Sequence, residues 1–341
     1  MLEEYMPLIA IFISFLIVIL AMPSTIRILK ERGMVGIDVH KPDQPSIAKG
    51  GGFIVLFAIV TSLLAVIGFT TLQAQEINTG LLAALVSILM AGMIGLLDDT
   101  LDFKNRTKIV LPLIASIPMV VMQVGTVTMS IPFIGTVNLG ILYPLVVVPL
   151  MMTFIIDSTN MYGGMNGLES GLAVINSSAF VLYVCVEPLI AQNGAPQLLD
   201  AGIIAGALLG ASLAFFIFNR YPAKILPGDV GRLPLGAAMA AALILGNMDR
   251  LAVILYIPFL INFVLYLLYR VYVRRSGIEY AKFAKPREDG TLEVIGPFTL
   301  YWVFPHLSKN VTEKRNVNLL LLLQAILAFG GVIILLLGIP F

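Results

Sequence analysis

The chain has 341 residues, 59% of them hydrophobic and only 12% charged, with a mean hydropathy of +0.97. Soluble domains carry about 25% charged residues, so this composition excludes a water-soluble globule. The net charge of +1 gives no electrostatic basis for a nucleic-acid partner, and the single cysteine, Cys185, excludes an intramolecular disulfide framework.

A membrane-crossing helix needs about 20 apolar residues. Ten such runs are predicted, in chain order 6–28, 52–71, 80–97, 108–125, 139–156, 168–190, 200–218, 233–248, 251–271 and 317–339. They are continuous rather than alternating, which selects helices over a barrel. The expected fold is therefore an all-α integral membrane protein of about ten spans, with residues 1–341 forming one polytopic domain. Glu3 and Glu4 precede the first run in place of a basic segment, so a permanent helix is expected there and not a cleaved leader.

Alternating the connections, with the first in the cytoplasm, puts 20 of the 21 Lys and Arg on the cytoplasmic side; only Arg250 falls outside. That satisfies the positive-inside rule. It predicts a cell-membrane protein with both termini outside and its polar loops cytoplasmic. The expected outer loops, 72–79, 126–138, 191–199 and 249–250, are short and chemically plain.

Taken in order, the inner loops carry the chemistry. The segment from His40 to Gly52 supplies cations, Lys41 and Lys49, and a flexible glycine run; a basic loop obeying the positive-inside rule explains it equally well. The segment Gly95–Lys108 ends a span on adjacent carboxylates, Asp98 and Asp99, followed by a basic cluster. Charges at a membrane boundary are costly unless solvated, paired or metal-bound, so this pair is a candidate for Mg²⁺ or phosphate handling, with Lys108 on phosphate oxygens.

Residues Asp157–Glu169 lack Lys and Arg but offer Asn160, Asn166 and glycines that admit a ligand close to the backbone. Residues Phe218–Gly231 combine helix breakers with Asp229, a loop able to hold a diphosphate or a metal. The longest loop, 272–316, carries Asp289-Gly290 before an alternating run, the pattern of a small hairpin. His306 has no second histidine or cysteine nearby, which argues against zinc. Carboxylates plus cations, without a Ser-His-Asp or Cys-His set, suit phosphoryl chemistry better than acyl transfer. A secondary transporter would place its acids near the bilayer midplane, often in repeated halves; here they lie at expected helix ends and no repeat is present.

These motifs resemble the polyprenyl-phosphate N-acetylhexosamine-1-phosphate transferases. Leu97-Asp98-Asp99 followed by Lys108 is similar to that family's aspartate pair and lysine. Asn219, Pro222-Ala223 and Gly228-Asp229 are similar to its Asn-x-x-Pro-Ala-x-x-x-x-Gly-Asp signature. Asn166-Gly167-Leu168-Glu169, and Asn316-Val317-Asn318 before a leucine run and Gln324, resemble the dolichyl-phosphate GlcNAc-1-phosphotransferase branch more than the phospho-MurNAc-pentapeptide transferases. In a compact chain this suggests an archaeal enzyme.

The resemblance implies transfer of GlcNAc-1-phosphate from a UDP-sugar to a polyprenyl or dolichyl phosphate in the bilayer, with Mg²⁺ (or Mn²⁺ in its place) and release of UMP. It implies Asp229 and Asn160 as metal ligands, and Asp98 and Asp99 orienting or deprotonating the lipid phosphate. Lys108 would hold phosphate, and Asn166 and Gly164 would contact uridine. Lys49, Asn219, Lys282, Lys285 and Arg287 complete the expected substrate-binding set, and a homodimer is compatible with the family. The chain departs from the pattern at Val230 (commonly Thr), at Arg232 (Ser in many relatives), at Leu226 (an aromatic in some), and in lacking a histidine-rich final loop.

Overall fold

The computed structural model describes residues 3–131, 135–191 and 196–339. In chain order the elements are α1 (Met6–Glu31), β1 (Val35–Ile37), β2 (Ser46–Lys49), α2 (Gly52–Ala74), α3 (Thr79–Leu101), α4 (Asn105–Ala115), α5 (Ile117–Val121), β3 (Thr128–Ile131), β4 (Gly135–Asn138), α6 (Val148–Met161), α7 (Leu168–Ala191), α8 (Pro196–Asn219), β5 (Ile225–Leu226), α9 (Asp229–Leu245), α10 (Asp249–Ser276), β6 (Lys285–Pro286), β7 (Leu292–Glu293), α11 (Leu300–Leu307) and α12 (Glu313–Leu336). A π-helical turn, Tyr143–Val147, leads into α6. Residues 132–134 and 192–195, in two of the expected outer loops, lie outside the described residues.

Among the described residues, eight helices are long and apolar enough to cross a membrane, where the sequence predicts ten. The two differences have physical causes. The expected span at 108–125 is divided into α4 and α5 at Ser116, two residues before Pro118; Pro118 lacks the N–H that would carry the i→i−4 ladder through this turn. The expected span at 233–248 is α9, only 17 residues long, or about 25 Å at 1.5 Å per residue.

Every residue of α9 except Asp229 and Arg232 is buried, and α2, α3, α6 and α8 pack around it. A helix that is apolar all round belongs in the middle of a bundle. Its Gly and Ala content lets backbones approach, as at other membrane helix interfaces. The closest approaches are at glycines. A Cβ on Gly52 would lie 2.1 Å from the Cα of Gly231, and one on Gly95 would lie 2.3 Å from the carbonyl oxygen of Asp229. The glycine run expected to be flexible thus starts α2 and fixes it against α9.

Polar bonds pin the outer helices to the bundle. Gln324 of α12 donates to Asn176 Oδ1 of α7 at 2.6 Å and to the Leu255 carbonyl of α10 at 3.0 Å. Each such bond within a membrane contributes about 0.6 kcal/mol.

At the bundle end where α3, α6 and α8 finish and α7, α9 and α12 begin, three short strands form a sheet. β1 pairs antiparallel with β2, and β2 pairs parallel with β5, with Ala48 opposite Ile225 and Lys49 opposite Leu226. This joins the first inner loop to the segment just before α9. In the longest loop, β6 and β7 pair antiparallel, Lys285 with Glu293 and Pro286 with Leu292. The β3–β4 hairpin caps the opposite end, where Asp249 accepts from the Ser130 amide at 3.0 Å.

Candidate active site

Three carboxylates and three cations converge where α3 ends and α9 begins. Asp102, at φ +48°, stops α3 and turns the chain into α4, whose first turn carries Lys108 back over the acids. Lys108 Nζ lies 2.8 Å from Asp98 Oδ2 and 3.7 Å from Asp229 Oδ2. Asp98 is buried and also accepts from the Phe103 amide at 3.0 Å. Asp99 accepts from the Val230 amide in the first turn of α9 at 2.9 Å, where the helix dipole favours an anion. Its other oxygen is 3.1 Å from Lys49 Nζ, brought there by the β2–β5 pairing. Asp229 lies 3.6 Å from Arg232, one turn along α9, and its side chain is 18% exposed. Thus Asp98, Asp99, Asp229, Lys49 and Lys108, far apart in sequence, form one cluster.

The expected donor-binding residues line the neighbouring turn between α6 and α7. Asn160 is partly exposed near the end of α6, and its side chain takes no hydrogen bond among the described residues. Gly236 of α9 packs on Ile156 and Thr159, so the end of α6 that carries Asn160 lies against α9 about two turns along from Asp229. Gly164 has φ +111°, and its amide donates to Glu169 Oε1 at 2.8 Å.

Asn166 is almost fully buried. Its Oδ1 accepts from Lys41 Nζ at 2.6 Å and from the Ala223 amide at 2.8 Å. Asn219 is likewise buried, its oxygen accepting from Ser170 at 2.7 Å and its amide donating to the Ile225 carbonyl at 2.9 Å. These two asparagines brace the signature loop from inside. The sequence reading treats both as ligand-facing.

Two ion-pair centres were not anticipated. Lys41 binds Asp38, Glu313 and Asn166 and lies 4.7 Å from the centre of the Tyr221 ring. Glu169 pairs with Arg232 at 2.8 Å. The signal for Glu169 and Glu313 was available: acids at the start of spans are rarely buried without a cationic partner.

The final-loop cations lie further from the carboxylates. Lys282 sits 5.2 Å over the Phe283 ring, and Phe283 packs edge-on against His40 at 5.7 Å and beside Gly164. Lys285 is exposed on β6. Arg287 is held on the hairpin by Glu293 at 3.4 Å and by Thr291 and the Lys309 carbonyl, each at 3.4 Å. No described contact brings Lys282, Lys285 or Arg287 to Asp98, Asp99 or Asp229.

Burial lowers the His40 pKa to about 4, outweighing the opposing pull of Asp38. An unfolded histidine titrates near about 6.5, so between these values the unfolded chain binds more protons and acid favours unfolding. Stability should hold above about pH 6.5 and fall by about 3 kcal/mol as pH drops to 4. Thermal unfolding of His40→Phe against the parent over this range should show a flatter acid limb; identical limbs would contradict it.

A divalent cation has a place here, although among the described residues no three Asp, Glu, His or Cys side chains form a preformed cage. Mg²⁺ is commonly held by one or two carboxylates, with waters and substrate phosphates completing its shell. A partly exposed Asp229 carboxylate, with an uncommitted Asn160 amide on the helix packed beside α9, fits that pattern.

Fold and site together define a polytopic membrane protein with a phosphate-type polar centre at one end of its helix bundle. Residues 81–247 match the model for glycosyl transferase family 4. The chain is 32% identical over 310 residues to a Saccharolobus solfataricus protein with the provisional name UDP-N-acetylglucosamine–dolichyl-phosphate N-acetylglucosaminephosphotransferase, covering 91% of this chain and 88% of that one. It is 26% identical to the Dictyostelium discoideum protein of the same activity name, over 91% of this chain and 83% of the relative. A Streptococcus uberis phospho-N-acetylmuramoyl-pentapeptide-transferase is 32% identical over 70% of this chain and 72% of its own length. The chain belongs to glycosyl transferase family 4.

Proposed function

We propose that this protein transfers GlcNAc-1-phosphate from UDP-GlcNAc to a dolichyl or other polyprenyl phosphate, in a cell membrane and with the site facing the cytoplasm. The observation that carries the reading is the convergence of Asp98, Asp99 and Asp229 with Lys49 and Lys108 at a bundle end. Both a membrane lipid phosphate and a soluble nucleotide can reach such a place. Similarity over nine-tenths of the chain to a relative named for this activity supports it. So does the basic bias of the loops at that end, which also favours ten crossings, α4–α5 and α9 included, and outward termini.

In this reading an oxygen of the lipid phosphate attacks the β-phosphorus of UDP-GlcNAc. The bond from that phosphorus to the bridging oxygen breaks, and UMP leaves carrying the oxygen. A phosphate monoester has its second pKa at about 6, so the attacking dianion is abundant at neutral pH and needs orientation more than deprotonation. Lys108, tethered to buried Asp98, would hold phosphate oxygens, and Asp99 with Lys49 would align the acceptor at the mouth. Asp229 and Asn160 would hold Mg²⁺, which when bound would supply charge neutralisation at the diphosphate. The Gly164 turn would take the nucleotide, with Lys282 beside it, while Asn166 and Asn219 brace the signature loop.

Purified protein given Mg²⁺, dolichyl phosphate and radiolabelled UDP-GlcNAc should yield labelled lipid and UMP in equal amounts. Product from UDP-MurNAc-pentapeptide alone would transfer the assignment to the muramoyl branch. Absence of product from every UDP-N-acetylhexosamine would overturn the transferase reading.

A further inference from the structure

The Glu169–Arg232 pair stands between the two halves of the site. Glu169, in the first turn of α7, has a side chain only 2% exposed, and one oxygen, Oε1, serves two donors: the Gly164 amide at 2.8 Å and Arg232 Nη2 at 2.8 Å. The fit depends on Gly163, where a Cβ would lie 2.4 Å from Glu169 Cγ. The other terminal nitrogen of the same guanidinium, Nη1, is 3.6 Å from Asp229 Oδ1. A planar, permanently charged fork is the side chain able to address two carboxylates at once. Here one carboxylate shapes the turn proposed to take the nucleotide, and the other is the proposed metal ligand.

We propose that Arg232 is a positioning residue that couples the nucleotide turn to Asp229, strengthening nucleotide binding through Glu169 while competing with the divalent cation for Asp229. The inference rests on the transferase reading for the identity of the two ligands. Its physical content is the division of one guanidinium between two acids. With Arg232 in place, Glu169 is compensated and holds the Gly164 amide, so the turn is preset. Its second nitrogen meanwhile offsets part of the Asp229 charge that a cation would otherwise use. Removing the guanidinium leaves Glu169 buried and without its cation, which disturbs the turn, and leaves Asp229 with Lys108 as its remaining cation. Removing the Glu169 charge instead releases the guanidinium toward Asp229. The two variants should therefore differ in sign at the metal while agreeing at the nucleotide.

The test uses full-length protein in detergent, with UMP binding followed by calorimetry and Mn²⁺ binding by electron paramagnetic resonance, each ligand alone. Arg232→Gln should weaken UMP by about tenfold and tighten Mn²⁺ several-fold, within the usual range of site-to-site coupling. Glu169→Gln should weaken UMP similarly and weaken Mn²⁺. Arg232→Lys, which keeps the charge but not the fork, should restore the parent Mn²⁺ affinity and recover UMP only in part. A purely structural role would weaken both ligands together in every variant, and that result overturns the proposal, as does an unchanged UMP affinity in Arg232→Gln. If the parent protein binds neither UMP nor Mn²⁺, the transferase reading itself fails; parent binding with the wrong pattern in the variants refutes the coupling alone.

Discussion

Asp229→Asn should lower kcat by at least about 10²-fold, the loss typical when one preorganised electrostatic contact to the reacting group is removed, while the protein stays folded. The second half of that expectation follows from geometry. The ion pairs of Asp229 are long, at 3.6 Å from Arg232 and 3.7 Å from Lys108, and its side chain is 18% exposed. Its position is set instead by the backbone, where Gly95 and Gly231 admit α3 and α2 against α9. Asparagine keeps the shape and removes the charge, so it isolates the role of the carboxylate. Asp102→Asn supplies the control: Asp102 is exposed and sits at φ +48°, a conformation asparagine accepts readily, so near-parental kcat is expected. Turnover is read as UMP release and folding as the thermal midpoint in detergent. Asp229→Asn with activity close to the parent would remove Asp229 from the chemistry.

The spans and the site were legible to different degrees for different reasons. α1, α2 and α3 announce themselves because hydropathy integrates over a whole helix, and their beginnings match the apolar runs to within a residue. α12 begins four residues before its run at Val317, because Thr312 caps it and Glu313 and Asn316 of its polar first turn are buried against partners no hydropathy profile can see. The break between α4 and α5 was written in Pro118 but obscured by the apolar residues around it. The β1–β2–β5 sheet left no periodic signal, since its strands have two to four residues and β2 and β5 lie more than 170 positions apart.

In the site, residue types that must face charge were readable one by one: Asp98, Asp99, Lys108 and Asp229 stand out because an apolar chain tolerates few of them. Their pairings were not. Arg232 drew attention only as an unusual residue, and its partner Glu169 lies on another helix, so nothing local connects them. Asn166 and Asn219 show the opposite limit. Their capacity for hydrogen bonding was plain, but whether it is spent on a ligand or on Ala223, Ser170 and Ile225 depends on which segments the fold brings beside them.

The same dependence on distant partners makes Lys41 the residue whose loss should cost most in stability. Its ammonium contacts Asp38, Glu313 Oε2 at 3.2 Å and Asn166 Oδ1 at 2.6 Å, and both carboxylate side chains are at most 3% exposed. Four separate segments thereby meet at one charge: the first inner loop, the turn before α7, the signature loop through Tyr221 and the start of α12. Removing one member of a buried ionic group leaves the others uncompensated, at a cost of about 3–5 kcal/mol. Lys41→Met, which keeps the length of the stem, should therefore destabilise the protein by about that amount. Adding Asp38→Asn and Glu313→Gln to Lys41→Met should recover much of it, because no unpaired charge remains. The side-chain oxygen introduced by Glu313→Gln can still accept from the Asn166 amide, which lies 2.8 Å from Glu313 Oε1 in the parent. A loss due only to packing would not be recovered by these neutral partners. Thermal midpoints of the parent, single and triple variants in one detergent distinguish the two. A single variant as stable as the parent would mean that Asp38 and Glu313 find compensation elsewhere and that Lys41 is not the centre of the network.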